Sequence, residues 1–135
     1  MRGNQKFFIC KHCGNLVGLI DNKGVPVVCC GEKMTELVPN TAEASAEKHL
    51  PVVAVSSTCE CGCECTCLSV QVGSAAHPME EGHHIGFVYV ETEGGGQRKN
   101  LNPGEEPKLG FCLANDRPVA VYAYCNLHGL WKTEI

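Results

Sequence analysis

The sequence predicts an all-β chain in two parts: a small, metal-bound N-terminal unit, then an immunoglobulin-like antiparallel β-sandwich. Three observations predict it. Short apolar and β-branched runs recur between glycine, proline and asparagine turn signals, with no convincing helix. Two cysteine pairs at chelating spacing fall within residues 1–37, a stretch too short to bury much apolar surface without a metal. A break of small and polar residues at 38–48 separates that stretch from the rest.

Residues 1–37 carry Cys10, Cys13, Cys29 and Cys30, with strand-like runs at 16–20 and 25–28 punctuated by Gly14, Gly18, Gly24 and Gly31. Residues 38–48 form a linker, in which Pro39 and Asn40 break regular structure. From His49 to residue 135, strands are expected at 50–57, 67–73, 84–91, 97–101, 108–114 and 118–124. Turn signals at Gly94-Gly95-Gly96, Asn102-Pro103-Gly104 and Asn115-Asp116 separate several of them, the spacing of a sandwich.

The 135 residues are 44% hydrophobic and 19% charged, a globular composition, and the net charge of -4 leaves no basic footprint for nucleic acid. No stretch approaches the ~20 apolar residues that span a bilayer, and residues 1–13 lack the apolar core of a secretory signal. A cytoplasmic, reducing location is the expectation. There, 11 cysteines read as metal ligands rather than disulfides, the more so because the number is odd.

Cys10-Lys-His-Cys13 and Cys29-Cys30 supply four thiolates from two loops, a set that suits tetrahedral iron or zinc equally. Adjacent ligands cannot both reach ideal corners without backbone strain, so a distorted tetrahedron is expected. His12, between two of the cysteines, is expected to be an exposed bystander.

Five of the six histidines and one cysteine fall into three further segments: Glu47-Lys48-His49-Leu50-Pro51, His77-Pro78-Met79-Glu80-Glu81-Gly82-His83-His84, and Cys125-Asn126-Leu127-His128. A Cys-x-x-His next to the C-terminus, with a His-Pro-Met-x-x-x-His upstream, points to a second metal site. These segments resemble the iron-binding motifs of the superoxide reductase family. Cys10-x-x-Cys13-Gly14 and Val27-x-Cys29-Cys30-Gly31-x-x-Met34 resemble its desulforedoxin-type domain. Together they resemble a two-iron desulfoferrodoxin over nearly the whole chain.

The resemblance implies four equatorial imidazoles, from His49, His77, His83 and His128, and an axial thiolate from Cys125. Its spacing selects His83 over His84. It implies a one-electron reduction of superoxide to hydrogen peroxide, electrons from a rubredoxin-like donor, and a homodimer. Five protein ligands leave one position open, unlike structural zinc, which closes at four. Four neutral imidazoles and one thiolate around a ferrous ion leave a formal charge of +1, which draws an anion. Lys48 is expected to guide superoxide toward that face, and Glu47 resembles the family glutamate that closes the sixth position in the ferric state. On residues alone, Glu47-Lys48 reads as a solvated pair.

Two other functions use the same residues: an iron-binding electron-transfer protein without turnover, and a superoxide dismutase. One feature departs from the family pattern. Residues 59–67, Cys-Glu-Cys-Gly-Cys-Glu-Cys-Thr-Cys, are palindromic about Gly62 from Cys59 to Cys65. A hairpin at Gly62 or an extended run both group thiols, and a third metal site, a redox-labile set and an inert reduced hairpin all stay open. Cys112 reads as a small core residue, and Trp131 as packing near the second site.

Overall fold

The computed structural model describes residues 5–58 and 64–135. The expected hairpin at Gly62 lies outside the described residues. The chain divides into two compact units, Met1–Val38 and Pro39–Ile135.

In the first unit, β1 (Lys6–Ile9) is flanked by β2 (Leu16–Leu19) and β5 (Thr35–Glu36), both antiparallel to it. The apolar run Phe7-Phe8-Ile9 explains the central place of β1. Among the described residues of this unit, the buried apolar set is Phe7, Cys10 and Met34. So small a core needs a further staple. β3 (Val28–Cys29) and β4 (Glu32–Lys33) form a minimal hairpin around Cys30 and Gly31. The strand expected at 25–28 is therefore reduced to its last residue. Val25 and Val28 are exposed, because this segment serves the cysteine turn rather than a core.

The second unit holds one helical turn, α1 (Ala46–His49), and seven strands: β6 (Pro51–Thr58), β7 (Glu64–Val72), β8 (Ile85–Thr92), β9 (Gly95–Asn100), β10 (Lys108–Cys112), β11 (Pro118–Cys125) and β12 (Gly129–Glu134). They form two antiparallel sheets, ordered β10-β7-β6 and β12-β11-β8-β9. The core alternates along the strands: Leu68, Val70 and Val72 from β7, Val88 and Val90 from β8, Val121, Ala123 and Cys125 from β11. Such period-two burial fixes register, because a one-residue slip would turn each set outward. No helix of the described residues is long and apolar enough to cross a membrane.

Two expectations are corrected. No helix was expected, yet α1 forms, with Leu50 N–H donating to Ala46 O at 2.9 Å; a single turn carries no hydrophobic period to read. Near the start of the stretch expected as a linker, Asn40 donates to Lys132 O at 3.1 Å and accepts from Lys132 N–H at 2.9 Å, both within the second unit. Cys112 is not a core residue. Phe111 takes the buried face of β10, so its neighbour Cys112 is exposed on the other. β12 follows the Cys125 motif directly and pairs with β11 from Gly129 onward.

Candidate metal centres

The sulfurs of Cys10, Cys13, Cys29 and Cys30 all lie within 4.8 Å of one another. Cys13 and Cys29 sulfurs are 3.6 Å apart, close to the ~3.8 Å edge of a tetrahedron with metal–sulfur bonds of ~2.3 Å. The strain expected of adjacent ligands is present at Cys30, whose φ is 52°, in the left-handed region that non-glycine residues rarely adopt. Backbone N–H groups of Cys13, then His12, hold the Cys10 thiol down to about 6. Cys30 is pushed up to about 12, first by the sulfurs of Cys13, Cys10 and Cys29. Four thiolates this close cannot all ionise unless a cation joins them. His12 is exposed and pairs with Glu32 at 2.9 Å.

In the second unit, the ligand atoms of His49, His83, Cys125 and His128 also lie within 4.8 Å of one another. His77 joins through His49, their Nε2 atoms being 3.1 Å apart. His49 Nε2 is equally 3.1 Å from His128 Nδ1. Two donors at ~2.1 Å from one ion and at right angles stand ~3.0 Å apart, so both pairs fit neighbouring corners of a square.

The ring centroids trace that square. Around the circuit His49–His77–His83–His128 the sides are 4.6, 4.7, 5.1 and 4.9 Å, with planes at 77°, 82°, 74° and 89°. The diagonal His49–His83 is 6.3 Å with planes at 32°. Tetrahedral donors would make sides and diagonal alike.

The donor set fits a metal on its own chemistry. His49 Nδ1 lies 2.7 Å from Ser45 O and His77 Nδ1 lies 2.6 Å from Pro78 O. Each Nδ1 must donate to its carbonyl, so each Nε2 turns a lone pair toward the other. Burial pushes both imidazoles down, His77 to about 4, which keeps them neutral. Two facing lone pairs need a cation between them. His83 Nε2 is buried with no hydrogen-bond partner. Cys125 is fully buried, and its sulfur accepts from the His128 N–H at 3.4 Å and sits 3.8 Å from His128 Nδ1.

A sequence profile described as Desulfoferrodoxin matches residues 41–134. Desulfoferrodoxin of Nitratidesulfovibrio vulgaris is 39% identical over 99% of both chains. A desulfoferrodoxin homolog of Archaeoglobus fulgidus is 41% identical over 96% of both. The chain belongs to the desulfoferrodoxin family. Among solved structures, the superoxide reductase of Treponema pallidum matches 96% of this chain and 98% of its own, with TM-score 0.76 and 34% identity.

In this desulfoferrodoxin-family chain, turns and hydrogen bonds hold the segments that carry His49, His83, Cys125 and His128. His49 ends α1, and the turn is pinned by Ala75 N–H and Ser74 Oγ, both donating to Glu47 O. His83 sits in a tight loop closed by two hydrogen bonds with Glu80. Cys125 ends β11 at a register shift, and His128 occupies the turn into β12. Glu47 and Lys48 are exposed on α1, immediately before His49. His84 is outside the ring set.

Trp131 stacks on His49 at 4.9 Å and donates to His128 O at 3.2 Å, as its placement near the second site suggested. Sequence reasoning missed Asn126. It accepts from His84 N–H at 2.9 Å and donates to Gly82 O at 3.0 Å, tying the cysteine turn to the His83 loop across more than 40 residues. No local pattern announces such a link. Gly73 was also missed, although its left-handed φ of 84° is a recognisable glycine role.

Proposed function

We propose that this chain is a superoxide reductase, and the square of four imidazoles with the buried Cys125 sulfur beside it carries the reading. His49, His77, His83, His128 and Cys125 would hold iron, four neutral imidazoles and one thiolate being a donor set that suits it. When bound, ferrous iron would supply the one electron that superoxide takes up. The protein's own part is to arrange charge and access. Neutral imidazoles keep the site's formal charge positive, so an anion is favoured there. The His128 N–H donating to the Cys125 sulfur moderates how strongly that thiolate donates.

Lys48, exposed on the turn before His49, draws superoxide in from solution and stabilises negative charge developing on the oxygen. Glu47, exposed beside it, would supply a carboxylate ligand to the oxidised iron. Trp131 stacks on the face of the His49 ring and holds it in place. The cysteine quartet of the first unit takes iron or zinc, which metal analysis distinguishes. A rubredoxin-like protein in the cytoplasm returns the electron, and the working form is a homodimer.

The test is the stoichiometry of superoxide consumption by the iron-loaded chain with a reduced donor. One hydrogen peroxide per superoxide, one donor electron spent and no dioxygen released is the expected result. Dioxygen release without donor oxidation would make the chain a dismutase. No consumption at all would leave a metal-binding electron carrier.

A further inference from the structure

Three sulfurs outside both centres converge on the solvent face of the smaller sheet. Cys67 on β7 lies opposite Cys112 on β10, and Cys65 precedes Cys67 by two residues. Period-two alternation turns Leu68 and Val70 inward, and so sets Cys65 and Cys67 on the outer face with the exposed Cys112. The Cys65 sulfur is 3.7 Å from Cys67 and 3.5 Å from Cys112, and all three lie within 4.8 Å of one another. Those separations match the 3.6 Å between Cys13 and Cys29 in the quartet. They also match the ~3.8 Å edge of a tetrahedral thiolate site.

Core packing does not account for Cys112. Cysteine stabilises as a small hydrophobe only when buried, and Cys112 is exposed. The trio is also separate from the histidine square. Cys67 stands five residues before Val72, where β7 reaches the His77 loop, a distance of ~16 Å along the strand. In this structure Cys65 and Cys67 are disulfide-bonded, though not to each other, their sulfurs being 3.7 Å apart. Disulfides are uncommon in a reducing compartment. There a dithiol reductant would deliver two electrons and two protons to each bond, leaving thiols at Cys65 and Cys67 beside Cys112.

We propose that Cys65, Cys67 and Cys112 form a third metal site, which binds a thiophilic d10 ion of the zinc class once its sulfurs are reduced. Binding converts three thiols to thiolates and releases three protons to solvent. Oxidation of Cys65 and Cys67 withdraws two of the three donors, so occupancy follows the thiol redox state. The site is independent of superoxide chemistry at the histidine square.

The test uses full-length, iron-loaded protein, reduced with a phosphine, desalted without oxygen and titrated with zinc(II) against a chromophoric chelator. Iron is measured in the same samples. Reduced wild type should bind one zinc beyond what the unreduced protein takes, with its iron retained. Cys112→Ser should bind that zinc at least ~10-fold more weakly, because a direct ligand is worth no less than an outer-shell one. Its superoxide consumption should be unchanged. Cobalt(II) in place of zinc should give thiolate charge-transfer absorption that weakens in the same variant. Equal zinc uptake by reduced and unreduced protein would overturn the proposal. So would undiminished affinity in Cys112→Ser, or a Cys112 disulfide forming in place of metal uptake.

Discussion

Replacing Gly73 with alanine should loosen two ligand-bearing segments at once. Gly73 follows β7 with φ 84°, a conformation that costs an alanine ~1–2 kcal/mol. A Cβ there would also stand 2.3 Å from Ala75 O, 2.5 Å from Lys48 O and 2.7 Å from Lys48 C. All three are backbone atoms, so no side chain can swing aside. Lys48 precedes His49, and Ala75 is two residues before His77. Relief of the overlap must therefore shift one edge of the imidazole square. Overpacking of this kind costs a further ~1–3 kcal/mol, giving ~2–5 kcal/mol in total. Gly104 is the control: its φ is 90°, and a Cβ there meets nothing within 4 Å. Gly104→Ala should cost only the conformational ~1–2 kcal/mol and leave iron affinity alone. Urea denaturation of the metal-free proteins, with competitive iron binding on the folded ones, separates the two variants. Equal destabilisation by both, with unchanged iron affinity in Gly73→Ala, would refute the claim that this contact positions His49 and His77.

Other consequences follow from the same geometry. Lys48→Ala should slow the second-order reaction with superoxide by up to ~10-fold and flatten its dependence on ionic strength. Pulse radiolysis across a salt series would show it, and identical rates at every salt concentration would remove Lys48 from the mechanism. Glu47→Ala should leave turnover largely intact while changing the absorption spectrum of the oxidised protein; superimposable spectra would mean that the carboxylate never reaches the iron. Cys125→Ser should abolish sulfur-to-iron charge-transfer absorption at the histidine centre and lower iron affinity at least ~10-fold. Retention of that band would place the sulfur elsewhere.

The strands that frame the second centre were legible because alternation is a strong local signal: 118–124 against Pro118–Cys125, and 84–91 against Ile85–Thr92. The metal-bearing segments were legible for a different reason, since Cys-x-x-Cys and Cys-x-x-His are spacings with a chemical purpose. What escaped were features made by tertiary contact. α1 is one turn held by Gly73 and Ala75 rather than by its own propensity. Asn126 acts on the His83 loop from far along the chain. Cys112 was misjudged because a strand pattern states alternation but not which phase faces inward. Its neighbour Phe111 decides the phase, and decides it against burial.

The most direct test of the account is a crystal structure of the iron-loaded chain with anomalous scattering recorded at the iron edge. The account predicts an iron ringed by nitrogen atoms of His49, His77, His83 and His128, with the Cys125 sulfur on the buried side and no protein nitrogen or sulfur opposite it. An ion held by only four protein donors in a tetrahedron, or one lying beyond bonding distance of Cys125, would contradict it.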